Sequence, residues 1–328
     1  MKKVIIRTDA STKIGSGHVM RCLTIAHQLT KRGVDVRFMM KELPGNLIDF
    51  VENQGFKNVA LLEYADLYII DHYSIDEVWE QKLRAYTKNI MVIDDLANRK
   101  HDCDLLLDQN VVPQFEKRYN GLVPVQCKKI LGPCYLIMRD EFIKARQNMP
   151  TRTGKVENLL IFMGGTDPTN ETIKILAALQ KTKVTFNNIH VVAGDGNIYK
   201  EQIQMTCEQR GFHFHCQIDY MAELMLQVDF SIGAGGSTTW ERCYVGLPSS
   251  STMVAENQRI TTEYAATLGA VINIGWYEEV TVFSYVDLLN KLSKESTNLM
   301  KISDRGLKLT EGVGQPNPWL QEILEMII

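Results

Sequence analysis

The sequence predicts an α/β protein made of two doubly wound domains that face each other across an active-site cleft. The chain has 328 residues, which is enough for two domains of ordinary size. Short apolar runs alternate with helical patterns in both halves, the order of elements found in parallel α/β sheets. A polar stretch at residues 145–156 contains a proline and a glycine and interrupts this alternation. We therefore predict domains at residues 1–148 and 149–328.

The first domain opens with a strand, a glycine-containing loop and a helix. The apolar run Val4–Ile6 predicts a buried strand, residues 17–32 predict a helix that ends at Gly33, and Val34–Met40 predicts the next strand. Three later apolar runs end in carboxylates: Asp71, Asp94-Asp95 and Asp108. Because ligands of open α/β sheets bind at the carboxyl ends of the strands, we expect a site there.

Composition excludes several classes of protein. The net charge of -3 and the absence of a basic run argue against nucleic-acid binding. Seven cysteines without a CxxC pair argue against a disulfide framework and favour a reducing compartment. The N-terminal apolar run of three residues is far shorter than a signal peptide or a membrane span requires. We expect a cytoplasmic protein without membrane insertion.

The loop after the first strand carries a candidate base. His18 follows Gly15 and Gly17 and stands where the next helix begins. A helix N-terminus disfavours the imidazolium, so the imidazole is biased towards the neutral form that a general base needs. Arg21 occupies the place of the last glycine in a GxGxxG fingerprint, which argues against NAD. The alternative is that His18 only caps the helix or belongs to the loop.

A second small-residue loop, residues 233–239, predicts a diphosphate cradle in the second domain. Its glycines let backbone N–H groups approach an anion, and the following helix adds its positive end. Ser237 and Thr238 add hydroxyl donors, and Glu241 can accept hydrogen bonds from a ribose diol. The loop Gly164–Pro168 also opens a helix and can close over the same phosphates. The alternative is a simple helix-capping turn.

Two patterns resemble metal sites, and we interpret neither as one. Asp102-Cys103-Asp104 spells DxD, but Asp104 leads directly into an apolar strand. His213 and His215 would share one strand face, but no third ligand stands nearby in the sequence. We expect no metal and no cofactor.

Several motifs together resemble the nucleotide-sugar hydrolases of pseudaminic acid biosynthesis (PseG type) and the related SpsG-type spore-coat polysaccharide proteins. They span most of the chain. The matching stretches are Arg7–Asp9, Gly17–Cys22, Asp71–Ser74, Ile93–Arg99, Cys103–Asn110, Gly164–Pro168, Gly233–Arg242 and Glu256–Gln258.

The resemblance implies the GT-B architecture of two Rossmann-like domains. It also implies hydrolysis of UDP-2,4-diacetamido-2,4,6-trideoxy-β-L-altropyranose to UDP and free sugar, with inversion and without a metal. In that case His18 is the base that activates water. The candidate sugar-binding residues are Arg7, Asp9, Gly17, Arg21, Tyr73 and Asn257. The candidate UDP-binding residues are Gly164, Gly165, Thr166, Gly235, Gly236, Ser237, Thr238 and Glu241.

Two other functions remain open at this point. A GT-B glycosyltransferase would use the same UDP-sugar donor, and a non-catalytic UDP-sugar binding protein would keep the same loops. The sequence leaves the exact sugar and the oligomeric state open. It also leaves open which domain receives the apolar helical face within residues 316–328.

Overall fold

The structure is a computed structural model that describes residues 1–292, 294, 296–314 and 317–327. The contacts within the chain divide it into two compact units. The first unit consists of Met1–Met138 and Gly312–Ile328, and the second consists of Arg139–Glu311. Each unit is built on its own parallel sheet, so the prediction of two α/β domains is confirmed.

The first unit forms a parallel sheet whose strand order changes direction next to β1. Its strands are β1 (Lys3–Thr8), β2 (Asp35–Met39), β3 (Lys57–Asn58), β4 (Leu67–Asp71), β5 (Asn89–Ile93), β6 (Leu105–Asp108) and β7 (Lys128–Leu131). They lie in the order β3-β2-β1-β4-β5-β6-β7. Since chain connections diverge on either side of the β1–β4 pair, a crevice for ligands is expected there. Thr8 and Asp71 are paired at that point.

The helices of the first unit begin and end close to the predicted positions. They are α1 (Gly17–Thr30), α2 (Ile48–Asn53) and α3 (Glu77–Leu83). Helix α1 buries Val19, Cys22, Ala26 and Leu29 at helical spacing against the sheet, which fixes where its N-terminus lies. Helix α3 begins after Asp76, whose carboxylate accepts hydrogen bonds from the first-turn N–H groups.

The second unit repeats the same design. Its strands are β8 (Asn158–Phe162), β9 (Asn188–Ala193), β10 (His213–Cys216), β11 (Phe230–Ala234), β12 (Ser249–Met253) and β13 (Ile272–Trp276). They lie in the order β10-β9-β8-β11-β12-β13. The direction of the connections changes between β8 and β11, so a crevice for ligands is expected between the loops after these two strands. Those are the two loops that the sequence assigns to phosphate.

Helices cover the second sheet. They are α4 (Asp140–Arg146), α5 (Glu171–Lys181), α6 (Lys200–Arg210), α7 (Met221–Gln227), α8 (Ser237–Tyr244), α9 (Arg259–Thr267), α10 (Val282–Leu292) and α11 (Ser296–Leu309). Helix α4 precedes the predicted boundary but belongs to this unit. Its Arg146 donates hydrogen bonds to the carbonyl of Tyr244 (2.7 Å) and to Thr310 Oγ1 (3.1 Å).

The C-terminal helix, α12 (Pro318–Ile327), packs on the first unit. Its apolar face, with Trp319, Leu320 and Ile323, joins the core beneath α1. Pro316 and Ile328 lie outside the described residues. The division of the structure thus differs from the predicted boundary at 148/149 in two respects: α4 moves to the second unit, and α12 returns to the first.

Within the described part of the chain, no helix combines the length and the apolar character needed to cross a membrane.

The packing of α12 predicts a large loss of stability when its core side chains are shortened. Ile323 is fully buried, so Ile323→Ala should lower the free energy of unfolding by about 2–5 kcal/mol. The matched control is Gln321→Ala, an exposed position of the same helix, which should change it by less than about 0.5 kcal/mol. Denaturant titration measures both. A cost below about 1 kcal/mol for Ile323→Ala would show that α12 does not depend on this core.

Candidate active site

Titratable side chains of the first unit collect at the carboxyl edge of its sheet. Asp71 and Asp108 end β4 and β6, Asp9 and Asp95 lie in the loops after β1 and β5, and α1 begins there with His18 in its first turn. The edge thus brings together the carboxylates that the sequence placed at strand ends. Asp71 lies directly beside the candidate base.

His18 forms a short, buried contact with the last residue of β4. The imidazole Nδ1 lies 2.6 Å from Oδ1 of Asp71, and the Asp71 carboxylate is fully buried. Arg21 forks onto the same carboxylate, with Nη2 at 2.7 Å from Oδ1 and Nε at 2.9 Å from Oδ2. Burial favours the neutral acid, but Arg21 and His18 outweigh it and hold the pKa of Asp71 well below its usual range.

This geometry fixes which imidazole nitrogen is available for chemistry. An ionised carboxylate only accepts hydrogen bonds, so Nδ1 of His18 carries the proton that points at Asp71. The neutral ring then keeps its lone pair on Nε2, the arrangement that a general base requires. The ring of Tyr73 packs edge-on against His18 with 4.5 Å between the ring centroids. The aromatic contact and the carboxylate together hold the ring in one orientation.

Asp95 is a further residue of this cluster, to which the sequence motifs assign no role. Its Oδ1 is buried and has no hydrogen-bond partner among the described residues, and Oδ2 lies 3.4 Å from Nδ2 of Asn110. Burial raises the pKa of the Asp95 carboxyl, while the charges of Arg21 and His18 oppose the rise. Its signals in the sequence were the doubled aspartate, Asp94-Asp95, after a strand and its place in the motif Ile93–Arg99.

The backbone around Asp95 is held by a second buried network. Arg118 donates to the carbonyl of Asp95 (2.6 Å) and to Oδ2 of Asp108 (2.5 Å). Tyr119 bridges Asp108 (3.1 Å) and Asp94 (3.0 Å) through its hydroxyl. Burial raises the pKa of Asp108 to about 6, against the effect of Arg118. These residues support the edge of the sheet, and sequence spacing could not connect them.

Arg7 and Asp9, two candidate sugar ligands, are engaged with protein groups. Both side chains are buried, and the guanidinium of Arg7 forks onto the two oxygens of Asp9 at 2.6 and 2.7 Å. Asp9 also accepts from the backbone N–H of Lys41 (2.8 Å) and contacts Nε2 of His72 (3.0 Å). The N–H of Ser74 donates to Nδ1 of His72, so the proton of a neutral His72 lies on Nε2 and points at Asp9.

The loop after β8 comes very close to the loop after β9. Gly164 has a φ of +92°, and a side chain at Gly194 would collide with the backbone of Gly165. Thr166 follows, and both oxygens of Asp167 accept N–H groups from the first turn of α5 at 2.9 Å. The side chain of Asp167 therefore caps the N-terminus of α5. The glycines before it allow the backbone of this loop to lie against the loop after β9.

The loop after β11 presents an uncapped helix end. The N–H of Gly235 is already used by the carbonyl of Thr252 (3.0 Å), whereas Gly236 turns the chain with a φ of +102°. Helix α8 then begins at Ser237 without a hydrogen bond from a capping side chain. Its first turn, which includes Thr238, can therefore donate N–H groups to an anion.

Two further candidates lie beside this loop. Glu241 receives Nε and Nη2 of Arg139, both at 2.9 Å from the same oxygen, Oε1. Asn257 is exposed in a short 3-10 turn, Glu256–Gln258. Its neighbour Gln258 lies close to Gly235 and binds the backbone N–H of Val254 (3.0 Å). Gln258 is thus a residue against the loop that the sequence motif contained but did not single out.

The two metal-like patterns have other partners. Arg84 binds both carboxylates of the DxD sequence, with Nη1 at 2.6 Å from Asp104 and Nε at 3.1 Å from Asp102. Nδ1 of His190 lies 3.0 Å from Nε2 of His215, and His213 stacks on His190 with 4.7 Å between ring centroids. Among the described residues, no group of three or more His, Cys, Asp or Glu side chains is arranged to hold a metal ion.

Known proteins resemble this chain over most of its length. A UDP-2,4-diacetamido-2,4,6-trideoxy-β-L-altropyranose hydrolase of Campylobacter jejuni is 29% identical over 281 residues, which is 81% of this chain and 97% of the hydrolase. The spore-coat polysaccharide biosynthesis protein SpsG of Bacillus subtilis is 28% identical over 56% of this chain. These similarities support the resemblance to PseG-type and SpsG-type proteins that the sequence motifs indicate. No protein-family profile matches it.

Two of the similar proteins are longer than the region they share with the chain. A Methanocaldococcus jannaschii protein of uncharacterised function is 29% identical over 75% of this chain, but the match covers 54% of that protein. The match to SpsG likewise covers 54% of the length of SpsG. The chain therefore spans about half the length of these two relatives.

Solved structures confirm the GT-B fold. MurG of Acinetobacter baumannii aligns with a TM-score of 0.64 at 14% identity and covers 100% of this chain and 99% of its own. HepE of Anabaena, crystallised with UDP-glucose, aligns with a TM-score of 0.59 at 12% identity and covers 99% of this chain and 100% of its own. At these identities the likeness establishes the fold alone.

The Arg7–Asp9 network predicts a structural cost at pH 7. Asp9→Asn would leave the buried Arg7 guanidinium without its charge partner, so the free energy of unfolding should fall by about 3–5 kcal/mol. The exposed Asp49→Asn is the control. The partners of Asp9 hold its pKa below the ordinary value of 3.8. The contribution of Asp9 to stability is therefore present above pH 3.8 and is lost as the pH falls below it. The free energies of unfolding of the wild type and Asp9→Asn should then converge at lower pH. Equal stabilities at pH 7 would contradict this network.

Proposed function

We propose that this chain is a UDP-sugar hydrolase that releases UDP and a free 2,4-diacetamido-2,4,6-trideoxy sugar. The observation that carries the proposal is the contact between Nδ1 of His18 and the buried carboxylate of Asp71 at 2.6 Å. It leaves Nε2 as the acceptor for a proton of water. Sequence similarity supports the substrate class, since the Campylobacter jejuni relative is named as the hydrolase of such a sugar.

In the proposed reaction, the oxygen of water attacks the anomeric carbon while Nε2 of His18 takes its proton. The bond between the anomeric carbon and the β-phosphate oxygen breaks, and UDP leaves with the bonding electrons. The configuration at the anomeric carbon is inverted. The carboxylate of Asp71 stabilises the imidazolium that forms, as in other Asp–His pairs. Each step uses protein groups only, so we expect hydrolysis to persist in EDTA.

The sugar is assigned to the first unit and UDP to the second. We assign Tyr73, Arg21 and the backbone of Gly17 to the sugar because they adjoin His18, and we propose the exposed Asn257 as a further ligand. We assign Arg7 and Asp9 an indirect part in holding the sugar, through their hydrogen-bond network, because Asp9 already accepts hydrogen bonds from Arg7 and Lys41. The diphosphate is assigned to Gly164, Gly165, Thr166, Gly235, Gly236, Ser237 and Thr238, and the ribose to Glu241.

The wider setting is proposed from the same relatives. The name of SpsG points to spore-coat polysaccharide biosynthesis, and the resemblance of the sequence motifs implies pseudaminic acid biosynthesis. All cysteines of the chain are free, which suits a cytoplasmic enzyme.

Release of UDP without an acceptor tests the proposed function. Purified protein is incubated with UDP-2,4-diacetamido-2,4,6-trideoxy-β-L-altropyranose in EDTA, and NMR follows UDP and free sugar. Multiple turnovers per enzyme are expected. Slow release that a sugar acceptor accelerates would instead indicate a glycosyltransferase, and binding of UDP without turnover would indicate a binding protein.

Removal of the base should affect turnover much more than binding. His18→Ala should lower kcat by about 10²–10⁴-fold, the usual contribution of a general base, and Asp71→Asn should lower it at least tenfold by losing the orientation of the ring. The Kd for the UDP-sugar should stay within about threefold, because these residues act mainly on water. The control is His27→Ala, an exposed histidine of the same helix. Turnover by His18→Ala at the wild-type rate would remove His18 from the mechanism.

A further inference from the structure

Arg242 is a fully buried arginine directly beneath the loop after β11. It lies in α8, and its side chain returns to the end of β11. There Nη2 donates to the carbonyl of Ala234 (3.0 Å), to Oγ1 of Thr239 (3.0 Å) and to Oγ of Ser251 (2.8 Å). One guanidinium thus ties the last residue of β11 to the first helical turn and to the neighbouring strand.

The two strands below α8 are built to receive this side chain. A Cβ atom at Gly233 would collide with Nη1 of Arg242, so only glycine fits there. Gly233 is paired with Ser251, and two residues earlier in each strand Ser231 is paired with Ser249. Because side chains alternate along a strand, these positions share the face towards Arg242. Small and hydroxyl residues fill a face that would normally be apolar.

The charge of Arg242 has no carboxylate partner among the residues that the structure describes. Nε and Nη1 also lack a hydrogen-bond partner there, and the adjacent Glu241 is paired with Arg139. Burial lowers the pKa of Arg242 to about 10, which still leaves it charged at neutral pH. An unpaired buried charge is costly, so a protein that retains one needs a compensating interaction.

A bound diphosphate at the loop would supply that interaction. The loop Gly236–Thr238 already offers the N–H groups of an uncapped helix end, whose partial charge is positive. A full positive charge one turn deeper acts through protein of low dielectric, where solvent screens it little. The two contributions have the same sign and the same target.

We propose that Arg242 is a positioning residue for the UDP diphosphate, which shapes the loop at Ala234 and supplies buried positive charge beneath it. This inference rests on the proposed function, because it takes the loop Gly235–Thr238 as the UDP site. It names the electrostatic source of the specificity for a diphosphate.

The test compares ligands that differ in charge and variants that differ in charge. Isothermal titration calorimetry measures the Kd of UDP, of UMP and of uridine for the wild type, Arg242→Gln and Arg242→Lys. We expect Arg242→Gln to weaken the binding of UDP by about tenfold, of UMP by less, and of uridine by under about twofold. The reason is that the Coulomb energy scales with the charge of the ligand. Arg242→Lys keeps the charge and should stay within about threefold for all ligands. The control, Arg210→Gln, removes an exposed charge at the end of α6.

Folding of the variants is checked by circular dichroism. If Arg242→Gln does not fold, Gly233→Ala takes its place, because the added methyl group displaces the guanidinium while Arg242 remains. We again expect the affinity for UDP to fall more than the affinity for uridine. Equal losses for UDP and uridine, or none, would overturn the role of Arg242 while wild-type UDP binding and hydrolysis leave the proposed function standing. Failure of the wild type to bind UDP would overturn the proposed function itself, and this inference with it.

Discussion

Asp71 lies at the end of β4 with a fully buried carboxylate that contacts both His18 and Arg21. Such a carboxylate stays ionised only because a guanidinium forks onto it, and its charge in turn orients the imidazole. The position follows from topology, since Asp71 is paired with Thr8 where the connections of the sheet diverge. The candidate base, its orienting group and the ligand crevice therefore depend on this one ion pair.

Much of the fold could be predicted because local patterns and tertiary structure agree. The apolar runs of β4 and β5 and the helical spacing of α1 reappear within a few residues. Strand β12 could not be predicted, because Ser249–Thr252 has neither apolar character nor alternation, and its burial is imposed by Arg242 and by Tyr285 on its two faces. The placement of α12 also depends on long-range packing, which periodicity cannot report.

The candidate site was predictable where the chemistry is local in sequence. His18 stands at a helix start and the glycines of residues 233–236 precede another, and both positions are confirmed. The surroundings of Asp71, Asp95 and Arg242 could be seen only in the structure. Each depends on partners that are distant in sequence or on burial, such as the 53 residues that separate His18 from Asp71. Assignment of Arg7 to the sugar could not anticipate that its guanidinium is engaged by Asp9.

The central claim is that water, activated by His18 beside Asp71, attacks carbon and not phosphorus. Hydrolysis of UDP-2,4-diacetamido-2,4,6-trideoxy-β-L-altropyranose in ¹⁸O-labelled water measures this directly, because the label marks the atom attacked. The account predicts the label in the free sugar, with inverted anomeric configuration in the first NMR spectra, and unlabelled UDP. Label in the β-phosphate of UDP, or retention of configuration in the first-formed sugar, would contradict it.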